Sequence, residues 1–462
     1  MSSDVTQPQI IRPTVSKTAI RSWMLFDWAA QPFFTVVITF IFGPYFVSKM
    51  IEDPVAGQAA WSQAIAIAGF IIAILSPVLG SIADATGSRK PWIVFFACIK
   101  ITALCSLWFA APGSPLFWPM VAIVFSLVAA EFSIVFNDSM MPRLITKDQI
   151  GRVSNLAWGL GYAGGLVVLF SVLLFFAANT QTGKTLIGID PLLNLRSALG
   201  EDARITAPIA AIWYAIFILP MLLFTPDVSS KLSFGKAIKS GLIELVDTIG
   251  ALKKRNHLLR FFVARMIYQD GVNGLLALGG AFAAGMFSWQ TMEMGIYGIL
   301  LLIAAIIGCI IASRLDEKYG AIFVVNLSLL CLVLATVGII STGPNYSLFG
   351  LIQVSAIDNN GLFATTAEKI YILFGLIIGL TFGPVQASSR AFLAQEVSVG
   401  ESGRFFGLYA LTGRATSFLA PLSVAFLTQY FDSARIGMAA LIVFLVAGWI
   451  IFSGVKASGK TC

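Results

Sequence analysis

The stretch LFDWAAQPFFTVVITFIFGPYF, residues 25–46, is apolar enough to cross a bilayer, yet Asp27 sits inside its leading edge between Phe26 and Trp28. A spanning helix needs about 20 mostly apolar residues, and a carboxylate inside such a run resists insertion. Runs of the same size recur along the whole chain. They fall at 22–47, 64–83, 91–111, 117–138, 153–176, 206–225, 259–287, 293–313, 321–341, 366–388, 404–428 and 434–455. The fold class that follows is an all-α polytopic membrane protein with twelve transmembrane helices.

Composition points the same way. Of 462 residues, 58% are hydrophobic and 11% charged, with a mean hydropathy of +0.87, whereas a soluble domain carries about 25% charged residues. The residues ahead of the first span are polar and basic with no apolar core, so that span is expected to be its own insertion signal. Twelve spans put both ends of the chain on one side. Of the 30 Lys and Arg, 21 fall in the segments on that side and six on the other. By the positive-inside rule both termini are expected in the cytoplasm. The net charge of +7 then reflects topology and anionic headgroups; membrane lipids are expected partners and nucleic acid is not.

The five cysteines lack metal-ligand spacing, and His257 is the only histidine. Neither a disulfide framework nor a His-based metal site is supported, and no cofactor is expected. The chain also lacks the Walker loop, HExxH and GxSxG, which leaves ATP-driven pumping and membrane-enzyme chemistry without a reactive cluster.

The spans divide six and six about the longest inner connection. The expected layout is a cytoplasmic segment 1–22, a six-helix bundle 23–225, a linker 226–258 with an interfacial amphipathic helix, a second bundle 259–455 and a tail 456–462. The halves echo each other. WMLFDWA (23–29) aligns with MIYQDGV (266–272), placing Asp27 opposite Asp270; GRVSNLAWGLGYAGG (151–165) aligns with GRFFGLYALTGRATS (403–417); GSIADATGSRK aligns with ASRLDEKYG, placing Asp84 opposite Asp316. Three matches in one order argue for duplication, a transporter signature with the substrate site between the halves.

GSIADATGSRK (80–90) has the form G-x-x-x-D-x-x-G-x-R-K between the second and third spans. It resembles the signature loop of the major facilitator superfamily. That resemblance implies a cytoplasmic gate of Gly80, Asp84, Gly87, Arg89 and Lys90, with Asp84 facing the start of the eleventh helix near Arg404, and Asp316 as its counterpart. SWMLFDWAAQPFFTVVITFIFGPYF further resembles the opening of the vacuolar-effluxer-like family, fungal vacuolar amino-acid effluxers and their bacterial relatives. The family pattern S-W-x-x-Y-D-W-A-x-S has Phe26 here in place of Tyr, and Gln31 near its polar pair.

Ionisable groups inside spans are functional hypotheses by default. They are Asp27, Lys100, Glu131, Asp138, Arg265, Asp270 and Arg414. Lys100 and Glu131 both lie roughly 10–14 Å above the inner boundary at 1.5 Å per residue, so an ion pair between them is expected. Asp27, Asp270 and Glu131 are the proton-coupling candidates, since a desolvated carboxylate takes up a proton more readily. Arg414, Arg265, Asp270, Trp28 and Gln31 are the candidate substrate contacts, Arg414 because a guanidinium can clamp a carboxylate in two-pronged fashion. An internal Asp270–Arg414 or Arg265–Asp270 pair is the alternative. Gly43-Pro44 and Gly383-Pro384 read as kinks, and the glycines of WGLGYAGG as close helix packing.

The leading function is a secondary transporter, expected as a monomer in a bacterial inner membrane, that moves a small solute by alternating access. An amino acid or similar metabolite is the expected solute, with protons as a possible coupling ion. The alternatives are a broad exporter of lipophilic compounds and a non-transporting receptor on the same fold.

Overall fold

The computed structural model describes residues 15–50, 53–177, 183–228, 243, 248, 250, 252–289, 291–354 and 362–457. Most of the linker, where the amphipathic helix is expected, lies outside the described residues.

Among the described residues, eleven helices are long and apolar enough to cross a membrane. A twelfth, Asn256–Phe287, is 32 residues long and stands seventh in chain order. His257, Arg260, Arg265 and Asp270 lower its hydropathy. Two expected spans match the observed helices to the residue, Phe117–Asp138 and Ala321–Ser341. The second span begins at Pro54, ten residues before its expected start, and the tenth runs Thr366–Glu396, eight residues beyond its expected end. Polar residues in SSRAFLAQE continue the helix there because they are buried between the halves.

The first span is not one regular helix. Ser16 caps it, its Oγ accepting the Ala19 N–H at 3.1 Å, and an α-helix runs Lys17–Pro32. Pro32 has no N–H to give to the ladder, and residues Phe33–Phe40 follow as a π-helix. The chain breaks at Ile41 (φ −125°, ψ −64°) before a last helix Phe42–Lys49. The distortion expected at Gly43-Pro44 therefore begins ten residues earlier. At Gly383-Pro384, by contrast, the helix continues through the proline.

Within the N-terminal half, the fifth span, Ile150–Phe175, lies close along the first. A Cβ on Gly161 or Gly164 would press on the backbone carbonyls of Asp27 and Trp28. The two halves meet along the second and eleventh spans and along the fifth against the eighth and tenth. Ser76 and Gly80 on the second span face Gly407 and Gly403 on the eleventh, with no room for a Cβ on either of the paired glycines Gly80 and Gly403. Such small-xxx-small seams let backbones approach closely where lipid supplies no hydrophobic drive. Towards the other end, the Phe40 ring of the first span fills the space above Gly298 of the eighth.

Candidate functional site

Polar contacts between the halves concentrate toward the end that carries the termini. Gly87 makes the turn after the second span with φ +82°, a conformation open to glycine. Asp84 then reaches across to the eleventh helix, Ser402–Arg414. Its two carboxylate oxygens accept the Gly403 and Arg404 N–H groups, each at 2.8 Å. Those are orphan donors at the positive end of a helix. Arg89 pairs with Asp84 from the same loop, and its Nε donates to Ser139 Oγ at 2.8 Å. The Lys90 side chain has no cross-half contact among the described residues; its backbone N–H and that of Arg89 donate to Asp227 at 2.8 Å.

The repeat supplies the mirror contact. Asp316 of the eighth span sits against Gly151, at the start of the fifth. Ser388 donates to Asp316 at 2.6 Å and Asn155 at 3.4 Å. Next to it, Arg152 pairs with Glu317 at 3.1 Å. Glu401 fastens the eleventh helix to the seventh. Arg255 grips it in two-pronged fashion at 2.8 and 3.1 Å, and the Ser398 N–H donates to it at 3.1 Å. Burial pushes its carboxyl up, but the Arg255 bonds and the Ser398 N–H outweigh burial and hold it below the ordinary glutamate range.

Deeper between the halves lies a cluster centred on Arg390 of the tenth span, 2% exposed. Its Nη1 donates to Asp138 at 2.9 Å and its Nη2 to Asp27 at 3.1 Å. Its Nε donates to Ser154 Oγ at 3.0 Å, and the Trp23 and Trp158 rings lie 5.5 and 5.7 Å away. One cation from the C-terminal half thus holds two carboxylates of the N-terminal half. A second cross-half pair joins Arg414 of the eleventh span to Glu131 of the fourth. Both of its members are partly accessible.

The expected Lys100–Glu131 pair is not formed. Glu131 turns to Arg414, while the Lys100 ammonium lies 3.8 Å from the Tyr214 ring centre and 5.0 Å from Phe33. Its Nζ has no hydrogen-bond partner among the described residues. The alternative internal pairs are not formed either. Arg265 donates to Tyr409 O at 2.6 Å and Thr412 Oγ1 at 2.9 Å and stacks on the Tyr409 ring. Both carboxylate oxygens of Asp270 are buried without a hydrogen-bond partner among the described residues. Trp28 packs on Trp213 and Phe217 of the sixth span, and Gln31 reaches Thr35 on its own helix at 3.5 Å.

An acid that caps a helix N-terminus across the halves and a charge cluster that bridges two six-helix halves narrow the possible kinships. The family model described as "Vacuole effluxer Atg22 like" matches residues 55–461. This chain belongs to that family. The MFS-type transporter YxiO of Bacillus subtilis, described as uncharacterized, is 24% identical over 446 residues, covering 95% of each chain. Autophagy-related protein 22 of Cryptococcus neoformans is 24% identical over 303 residues, 64% of this chain and 48% of that protein. The chain thus spans about half the length of the fungal relatives it matches. Among solved structures, the fucose:proton symporter FucP of E. coli superposes with a TM-score of 0.66 at 12% identity, over 96% of this chain and 98% of that one. The human organic anion transporter MFSD10 gives 0.66 at 13%, over 94% and 99%. At these identities the superpositions speak for the fold alone: this member of the Atg22-like family has the fold seen in major facilitator transporters.

Arg390, Asp227 and Glu401 escaped the sequence reading. Arg390 falls just outside the expected tenth span because the apolar run stops at residue 388. The signal that pointed to it was Asp27 and Asp138, two acids within spans that lacked a cation.

Proposed function

We propose that this protein is a proton-coupled carrier of a small zwitterionic solute, with an amino acid the leading candidate, working by alternating access in a bacterial inner membrane with both termini cytoplasmic. The observation that carries the reading is the charge balance of the buried cluster. Arg390 neutralises only one of Asp27 and Asp138, and an excess charge out of water costs several kcal/mol. A proton shared by the cluster restores neutrality when the halves close. Opening rehydrates the three groups and releases it. The Glu131–Arg414 pair, partly accessible and carrying both signs, suits a solute with an ammonium and a carboxylate that displaces each partner in turn. Asp270, buried in the seventh span, is a second acid for the solute or the proton. Export is the direction that the family's name suggests.

The test is counterflow of labelled L-amino acids in proteoliposomes, with Asp27→Asn and Arg414→Ala alongside. Exchange by the native chain that is lost in Arg414→Ala, together with loss of pH-driven accumulation in Asp27→Asn, is the expected result. No exchange of any amino acid would sink the solute class. Accumulation indifferent to a pH gradient would sink the coupling.

A further inference from the structure

A cavity of about 470 Å³ opens at the end of the molecule away from the termini, outside the space between the halves. Trp108 and Phe109, where the third span ends, form one wall; Arg196, Leu199, Glu201 and Arg204, leading into the sixth, form the other. Arg204 is 7% exposed. Its Nη1 donates to Trp108 O at 3.0 Å, and its guanidinium lies 5.2 Å from the Trp108 ring. Its Nε is buried with no hydrogen-bond partner among the described residues.

Two guanidiniums here share one carboxylate. Arg196 donates to Glu201 from Nε at 3.0 Å and Nη2 at 2.5 Å, while Arg204 Nη2 stands 3.7 Å from the same oxygen. Asp202 is adjacent but does not line the cavity; its carboxylate accepts the Ala203 N–H at 3.0 Å. The walls therefore keep one uncompensated positive charge and a buried donor to spare. A buried unsatisfied donor of this kind costs about 1–3 kcal/mol and calls for a partner.

The rim says what kind of partner. Phe109 is 70% exposed, and the sixth span, packed beside the third, turns Ile212 and Ile216 outwards below the cavity. A cationic recess above membrane-facing apolar surface matches an amphiphile with an anionic head, and guanidinium groups bind phosphate bidentately. We propose that this cavity holds the phosphate headgroup of an anionic phospholipid, with its acyl chains along the third and sixth spans.

The experiment is native mass spectrometry of the full chain in zwitterionic detergent with short-chain phosphatidylglycerol or phosphatidylcholine. The native chain retains phosphatidylglycerol preferentially, and Arg204→Gln retains it about tenfold less, as loss of a charge-assisted contact implies. Arg196 lies on the surface, so Arg196→Gln weakens the same adduct without disturbing the interior. Arg152→Gln, an exposed arginine at the opposite end, leaves it unchanged. Equal retention of the two lipids, or phosphatidylglycerol binding untouched by both Arg196→Gln and Arg204→Gln, overturns the proposal. So does displacement of the lipid by equimolar inorganic phosphate or octanoate, which would mark a site for free anions.

Discussion

Arg390 is one cation between two acids, and both depend on it for their burial. Removing one member of a buried ion cluster typically costs about 3–5 kcal/mol. Arg390→Ala should lower thermal stability in detergent accordingly, and Arg390→Ala/Asp138→Ala should recover part of the loss. Equal melting temperatures for the single and double variants would argue that the groups are not coupled. Lys100 gives the opposite expectation. Its amine has no hydrogen-bond partner among the described residues, and Lys100→Met keeps the volume while removing a poorly solvated group. Stability should hold or rise, and counterflow should continue. Transport lost with stability intact would mean that the amine acts in another conformation. These charges were visible in the sequence because ionisable residues stand out in apolar runs; their partners were not. Distance from a helix end gives height in the membrane but not the direction a side chain faces. Lys100 and Glu131 share a height and point to different neighbours.

Helix ends and seams carry the closure at the next scale. The second and eleventh spans touch through Gly80, Gly403 and Gly407, so Gly80→Val or Gly407→Val should push them apart. Spin labels on the inner ends of these two helices should report a longer mean distance in either variant. An unchanged distance distribution would show that the seam has slack. Glu401 anchors the same helix. A carboxyl held below its ordinary value stabilises the fold above that value and loses the contribution only as pH falls through the lowered one, so the latch is indifferent between about pH 5 and 8. Glu401→Gln should therefore destabilise the protein at pH 7, and the gap from the native chain should narrow on acidification towards pH 3. A gap that stays constant with pH would place the effect elsewhere. The sequence located these elements well because a bilayer imposes a length on its helices. It missed the end of the tenth span, where burial between protein surfaces lets a helix continue in polar residues, and it missed the π-helical run after Pro32, which composition does not encode.

The whole molecule is two related halves, and each lends the other an acid: Asp84 to the helix that begins at Ser402, Asp316 to the one that begins at Ile150. The echo was legible in three aligned segments, but the chemistry of the exchange was not, since it depends on which helix ends meet. Because the two grips are related by the repeat, a single rigid rotation loosens both together. Releasing one while keeping the other would require bending a packed bundle. Intermediates with one grip undone should therefore be scarce, and distances followed in single molecules should hop between two values with separate dwell times. Damage to either acid should then shorten the same dwell, so that Asp84→Asn and Asp316→Asn become kinetic twins despite lying in different halves of the chain.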